Sequence, residues 1–428
     1  MRRFFAFIAF LLALFVSSPF LCFAADTPPA STSHPVTAAS WSFECMYGHV
    51  CGTTGQWINT TSQPGTVRLW DAGVAWSVLE TSSGAYDWSN LDTWLDLIAQ
   101  HRPTAAIYTL GHVPCFITTG KCSGQAWDNW SPGPPADLTS SGSRTFNSFV
   151  TQLVYHCSPA GHCVKDYIKY WEMWNEANLS NYWTGNVSQL YQLQKPVISI
   201  IRNAIPGAVI ATPPVCGGDT EWMASWIQQE NTHGRLSDYY GFHVYLRDGT
   251  PEDRIKMVGR MVTTKNDNGW TTTPWMNTET NFVNTDYTCS SQYTAADCQG
   301  QLVRWHVLQY AYQGGAGGAI HIGWFNWPSI TSGIDYDTYY YTMMQWLKGA
   351  TFKQSCTQKG DLWTCSLKEA NGASGLIVWN ASGNAEYTPA TQYKNYRVFN
   401  GTYGGKTVSI APGQRTTIGV IPIMFQTK

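Results

Sequence analysis

The chain has 428 residues, 43% hydrophobic, 14% aromatic and 13% charged, about half the charged share of an ordinary globular protein. Its 26 basic and 28 acidic residues leave a formal net charge of -2, which supplies no basic surface for a phosphate backbone and excludes a nucleic-acid partner. The aromatic wealth excludes intrinsic disorder. With 21 Trp and 23 Tyr, it suits either a large core or a ligand with flat C–H faces rimmed by hydroxyls.

At the start of the chain, Arg2 and Arg3 precede an unbroken apolar run from Phe4 to Val16, and Cys22-Phe23-Ala24 stands before Ala25. Residues 1–24 read as a cleaved signal peptide, and the run is too short for a membrane span. No later stretch is apolar enough to cross a bilayer, so a secreted or periplasmic protein without stable membrane insertion is expected. Residues 25–39, rich in Pro, Ser and Thr, read as a flexible lead-in.

Short apolar runs then alternate with longer amphipathic ones. Strands are expected at 42–46, 66–70, 105–110, 168–174, 209–212, 240–245, 275–278 and 319–324. Helices are expected at 89–101, 143–156, 189–204, 221–233, 251–266, 295–312 and 339–348. The connection over 48–65 reads as a loop. Eight strands with mostly helical crossovers predict an α/β fold, a (β/α)8 TIM barrel over 40–349. Gly314, Gly315, Gly317 and Gly318 turn into the last strand with no helix behind them, so they are no phosphate cradle. Beyond Gly349 the pattern changes to short strands such as 376–379, 396–399 and 407–410, split by turn residues. Residues 350–428 are therefore expected to form a small all-β, sandwich-like domain.

The cysteines agree with export. Ten fall into close neighbours: Cys45 and Cys51, Cys115 and Cys122, Cys157 and Cys163, Cys289 and Cys298, Cys356 and Cys365. Local disulfides are expected for each, in an oxidising compartment. Cys216 is left over and reads as a buried thiol. His156 and His162 stand before Cys157 and Cys163, but the spacing is not that of a zinc site, and no metal or other cofactor is expected.

In such barrels the chemistry sits at the C-terminal ends of the strands. The fourth strand ends Glu172-Met173-Trp174-Asn175-Glu176, and the seventh ends Asn277-Thr278-Glu279-Thr280. Two carboxyl groups facing each other across the mouth are what glycoside cleavage requires: one protonates the leaving oxygen, and the other attacks the anomeric carbon or activates water.

Trp174-Asn175-Glu176 resembles the Asn-Glu motif of the clan A retaining glycoside hydrolases. That resemblance implies Glu176 as acid/base and Glu279 as nucleophile. It matches Arg68 to an Arg of the second strand, His243 and Tyr245 to the sixth strand end, and Trp324 to the eighth. The runs from Arg68 to Asp71, Glu172 to Asn178 and Asn277 to Thr280 look most like family 39 and related bacterial exopolysaccharide hydrolases, over roughly 40–348. Ala177 departs from the pattern, since many relatives have Pro there.

The roles implied are specific. Asn175 would bond a sugar 2-hydroxyl, and Tyr245 would donate to Glu279. Arg68 would pair with Glu172, keep Glu279 ionised, or do both. His243 reads as either site or core, His112 as a sugar contact and Trp324 as a platform under the sugar. His49 and Asp71 are further candidates, whereas Glu80 and Glu221 read as solvated helix-end charges. Trp127, Trp130, Trp183 and Trp327 lie in expected loops, where one or two would extend the cleft. The expected partner is an oligo- or polysaccharide, and the expected state is a monomer. The alternative is a carbohydrate-binding protein that has kept the barrel and lost catalysis.

Overall fold

The computed structural model describes residues 41–44, 57, 65–118, 120–122, 129–246, 249–282, 289–312, 318–325, 334–352 and 354–428. The expected signal peptide and lead-in, the first cysteine pair, His49, Trp127, Trp327 and most of the 48–65 connection lie outside them, as do all but Gly318 of the four-glycine turn.

Eight parallel strands form the main sheet: β1 (Trp41–Glu44), β2 (Thr66–Leu69), β3 (Ala105–Thr109), β4 (Ile168–Glu172), β5 (Val209–Ala211), β6 (Tyr240–His243), β7 (Trp275–Thr280) and β8 (Ala319–Phe325). They lie in the order β6-β7-β8-β1-β2-β3-β4-β5. A helix follows every strand from β2 on: α1 (Ser89–His101), α2 (Arg144–Tyr155), α3 (Val187–Ala204), α4 (Thr220–His233), α5 (Pro251–Asp267), α6 (Ala295–Ala311) and α7 (Tyr336–Leu347). At the seam, β5 meets β6 through one parallel bridge, Ala211↔Tyr239, rather than a full ladder. Backbone bonds from Thr212 N to Tyr239 O (3.0 Å) and Asp238 N to Ile210 O (2.7 Å) reinforce it. The short strand Val215–Cys216 then continues along β6, with Cys216 beside His243.

Strand alternation sorts the side chains. Val67 and Leu69 face the helices, in one cluster with Leu91, Leu95 and Ile98 of α1. Thr66 on β2, Ile107 on β3, Tyr170 on β4, Met276 on β7 and His321 on β8 line one cavity of about 10 Å³. Strands β4 and β7 are far apart in the ladder yet line this one cavity, so the sheet is strongly curled.

The helix starts follow the capping chemistry written in the sequence. Ser143, Asp219, Thr250 and Asp335 each accept a backbone N–H of the first turn, and Asn186 with Gln189 and Thr294 with Asp297 form reciprocal caps. The Asp335 cap is why α7 begins ahead of the expected residue 339. Gly142 must be glycine: its φ is +95°, and a Cβ would stand 2.5 Å from Pro196 Cγ.

The C-terminal residues form an antiparallel sheet built on β9 (Leu362–Lys368), β10 (Ser374–Asn380), β11 (Asn395–Val398), β12 (Lys406–Ser409) and β13 (Ile423–Gln426). Its two faces have different partners. Ile377, Trp379 and Met424 join the core cluster of α6 and α7, while Leu376, Val378 and Phe425 pack in a small cluster on the other side. Gly300 of α6 touches this sheet's chain so closely that a Cβ would lie 2.4 Å from the Val420 carbonyl oxygen.

Cys115–Cys122, Cys157–Cys163, Cys289–Cys298 and Cys356–Cys365 are disulfides, as expected. Each closes a short loop and stabilises by about 2–3 kcal/mol. His156 and His162 serve structure: their rings reach Asp92 (2.5 Å) and Asp96 (2.7 Å) of α1. Glu80 corrects the sequence reading, being buried, where it accepts from Trp76 Nε1 at 2.6 Å and from Gly84 N at 2.9 Å. Glu221 is exposed on α4. No helix among the described residues is long and apolar enough to cross a membrane.

Candidate active site

One layer above the cavity the interior turns polar. Arg68 takes the next inward position after Thr66 on β2, and its guanidinium is fully buried. Its Nε donates to Glu172 (2.7 Å), one terminal nitrogen to Glu279 (2.9 Å) and the other to the Asn175 side-chain oxygen (2.7 Å). Arg68 therefore pairs with Glu172, as one alternative had it, and also touches Glu279. The planar fork is suited to this, since a lysine presents only a point charge. Glu172 also accepts from Thr109 Oγ1 at 2.6 Å. Burial pushes its carboxyl pKa up. The charges of Arg68 and His243, with hydrogen bonds from Thr109 and Thr278, outweigh burial and hold it below the usual range.

Glu279 at the end of β7 is 7% exposed. Besides the Arg68 contact, its other oxygen accepts from the Tyr245 hydroxyl in a short hydrogen bond. Glu176 is also 7% exposed, and its Oε1 lies 2.9 Å from His243 Nδ1. The same imidazole nitrogen is 3.6 Å from Glu279 Oε2, and Nε2 is 3.1 Å from Thr278 Oγ1. His243 thus belongs to the site, standing between the two carboxyl groups. Burial raises the Glu176 pKa, but the hydrogen bond and charge of His243, a hydrogen bond from Cys216 and the charge of Arg68 together hold it below the usual carboxyl range.

Glu176 has φ +41° and His112 φ +62°. Non-glycine residues in the left-handed region carry backbone strain that persists where packing over-determines it, characteristically at functional sites. Of the three described non-glycine residues with positive φ, Glu176 and His112 lie at neighbouring strand ends of this mouth, and the third, Arg102, caps α1.

Glu176, His243 and Glu279 each present one atom within 4.8 Å of the others, so these three could grip a cation. Arg68 already meets the charge of Glu279.

The structure gathers Arg68, Asn175, Glu176, His243, Tyr245 and Glu279 into one bonded cluster. His112 sits at the neighbouring β3 end, stacked on Trp130. Asp71 is half-buried after β2. Trp324 requires correction: it is 0% exposed and faces the helices, packed on Phe282 and His306. Its neighbour Phe325 takes the inward position, with its ring 6.3 Å from Tyr245. Trp183 is also core, with its indole N–H on the Asn186 carbonyl (3.2 Å). Cys216, read as buried, is only half-buried and was missed as a contact of Glu176. The one signal for it was a cysteine left over from the close pairs, just past an expected strand end.

No family model matches the chain. A family 30 subfamily 8 xylanase from Clostridium acetobutylicum superposes with a TM-score of 0.60 at 11% identity, covering 93% of this chain and 97% of the xylanase. A family 39 glycoside hydrolase from the gut symbiont Bacteroides cellulosilyticus gives a TM-score of 0.60 at 13% identity, covering 92% of this chain and 81% of that one. The fold is that of the clan A glycoside hydrolases. Families 30 and 39 superpose equally well on this glycoside-hydrolase fold, so the fold does not choose between them. In sequence, a beta-xylosidase of Geobacillus stearothermophilus is 29% identical over 75 residues. That match spans 17% of this chain and 15% of the relative, a small part of its length.

Proposed function

We propose that the chain is an exported retaining glycoside hydrolase that cleaves O-glycosidic bonds of an oligo- or polysaccharide, with Glu279 as nucleophile and Glu176 as acid/base. The observation that carries this reading is the pairing of two buried carboxyl groups with different partners: Glu279 between Arg68 and Tyr245, Glu176 against His243. Their nearest ligand atoms lie within 4.8 Å, which supports direct attack over the wider spacing that an inverting enzyme needs for its water.

Each step follows from these contacts. Arg68 and the Tyr245 hydroxyl each donate to one oxygen of Glu279 and orient the carboxyl group for attack on the anomeric carbon. As that bond forms, the bond to the leaving oxygen breaks and Glu176 gives the oxygen its proton. Esterification removes the negative charge of Glu279, so Glu176 then holds its own charge more easily. It next takes a proton from water, which attacks the same carbon and frees Glu279. The Asn175 oxygen is held by Arg68, which leaves its amide N–H groups to meet a sugar hydroxyl.

The reading takes the curled sheet as a (β/α)8 barrel closed at the β5–β6 seam over 40–349, followed by a β domain over 350–428. The chain would act alone, since one chain supplies every residue of the cluster. The disulfides fit export through the expected signal peptide. The test is incubation of the mature protein with a broad panel of plant and microbial polysaccharides beside a Glu279→Gln control, with released fragments identified by mass. Release by the parent and a loss of about a thousandfold or more in the control is expected. Binding of a glycan with no release from any substrate would favour the non-catalytic alternative.

A further inference from the structure

We propose that Trp130 and Tyr182 form a stacking platform for a neutral sugar ring on the leaving-group side of the site, an inference that rests on the glycosidase reading above. Trp130 pairs with Pro114 in a two-strand antiparallel ribbon after β3, and the Cys115–Cys122 disulfide ties the loop inside that ribbon. Its ring lies 4.0 Å from the His112 ring and 8° from parallel. Tyr182 is 10° from parallel to Trp130 and 8° from parallel to His112, with centroids 6.0 and 6.3 Å away. Trp70, at the end of β2, meets His112 and Tyr182 edge-on at 4.6 and 5.9 Å and sets their common orientation.

The segments after β3 and β4 therefore hold three rings in one orientation, with Trp70 of the β2 end edge-on to two of them. Trp130 and Tyr182 remain half-buried in this stack, whereas Trp183 next to Tyr182 is core. A rigid, partly exposed aromatic surface suits the C–H face of a pyranose and leaves its hydroxyls to solvent.

The position assigns the sugar. Two successive turns carry the chain from Glu176 to Tyr182: Leu179 N bonds the Glu176 carbonyl (2.8 Å), and Tyr182 N bonds the Leu179 carbonyl (2.9 Å). The platform thus rises from the β2–β4 ends beside the acid/base, away from the β7 end that bears the nucleophile. A group that protonates the leaving oxygen has the leaving sugar next to it. The substrate class is then one in which the leaving part is itself a sugar.

The test compares Trp130→Ala and Trp130→Phe with the parent. Hydrolysis is measured on an oligosaccharide and on the matching glycosyl fluoride, whose leaving group fills no sugar subsite. Trp130→Ala is expected to lower kcat/KM on the oligosaccharide by about tenfold or more and on the fluoride by less than about twofold, with Trp130→Phe restoring most of the loss. Equal losses on both substrates, or no loss on either, would overturn the proposal. Calorimetric binding of xylohexaose, cellohexaose and mannohexaose to the Glu279→Gln protein separates this inference from the activity reading. If the parent turns over nothing, a loss of affinity on adding Trp130→Ala still supports the platform. Unchanged affinity, or no binding of any of the three, removes it.

Discussion

Glu176 is held below the usual carboxyl pKa range, and that has a kinetic consequence. The proposed acid must be protonated, so activity falls as pH rises through its pKa, and a depressed value places the optimum on the acid side. The His243 hydrogen bond and charge are the largest of the lowering influences. In His243→Phe the alkaline limb of the kcat/KM profile is expected to move to higher pH while the rate falls about tenfold or more. A limb that stays in place would show that His243 does not act on Glu176. Arg68→Met leaves the buried Glu172 uncompensated and is expected to cost about 3–5 kcal/mol of stability, measured by urea unfolding. Glu176 and Glu279 were legible because each ends a strand in a polar run, whereas Arg68 lies inside an apolar strand and was legible only through the resemblance to clan A. Cys216 was not, because a lone cysteine carries no spacing signal. Trp130 and Trp183 could not be told apart in sequence, since nothing in a loop pattern says which ring turns to the core.

At the scale of elements, the apolar patterning placed α1 to α7 and β2 to β8 to within about three residues at each end. Facing was harder to read. Trp324 fails as a platform because alternation on β8 turns it outward and Phe325 inward, and an all-apolar strand end conceals that parity. The outward face of β8 carries a further burden. His306 of α6 packs between Trp324 and Tyr340, its Nδ1–H donates to the Leu302 carbonyl (2.8 Å), and burial pushes its pKa down to about 4. The unfolded chain binds a proton near pH 6.5 and the folded chain only near 4, so stability is lost as pH falls through that window. The full loss is about 3 kcal/mol. A His306→Phe variant is expected to show a flatter dependence of Tm on pH between those limits. An unchanged slope would mean that other groups govern it.

For the whole molecule, the sheet over β9 to β13 shares its larger core cluster with α6 and α7. Arg304 of α6 pairs with Glu252 of α5 (3.2 Å), and Glu252 accepts from Trp379 of β10 (2.8 Å). The C-terminal strands were readable from turn residues and alternation. Their shared core was not, because which face of Trp379 meets which helix depends on contacts far apart in the chain. One calorimetric transition is expected, and two separate transitions would contradict the shared core. Gly300→Ala drives a Cβ toward the Val420 carbonyl and is expected to lower stability by about 1–3 kcal/mol. Under the proposed mechanism, Glu279 forms a covalent bond to the sugar. The most direct test is the intact mass, then the peptide map, of the protein after exposure to 2-deoxy-2-fluoro glycosyl fluorides of the xylo, gluco, manno and galacto series. One added sugar is expected on the peptide bearing Glu279 and none in Glu279→Gln. An adduct on another residue, or turnover of a glycan with no adduct from any reagent, would contradict it.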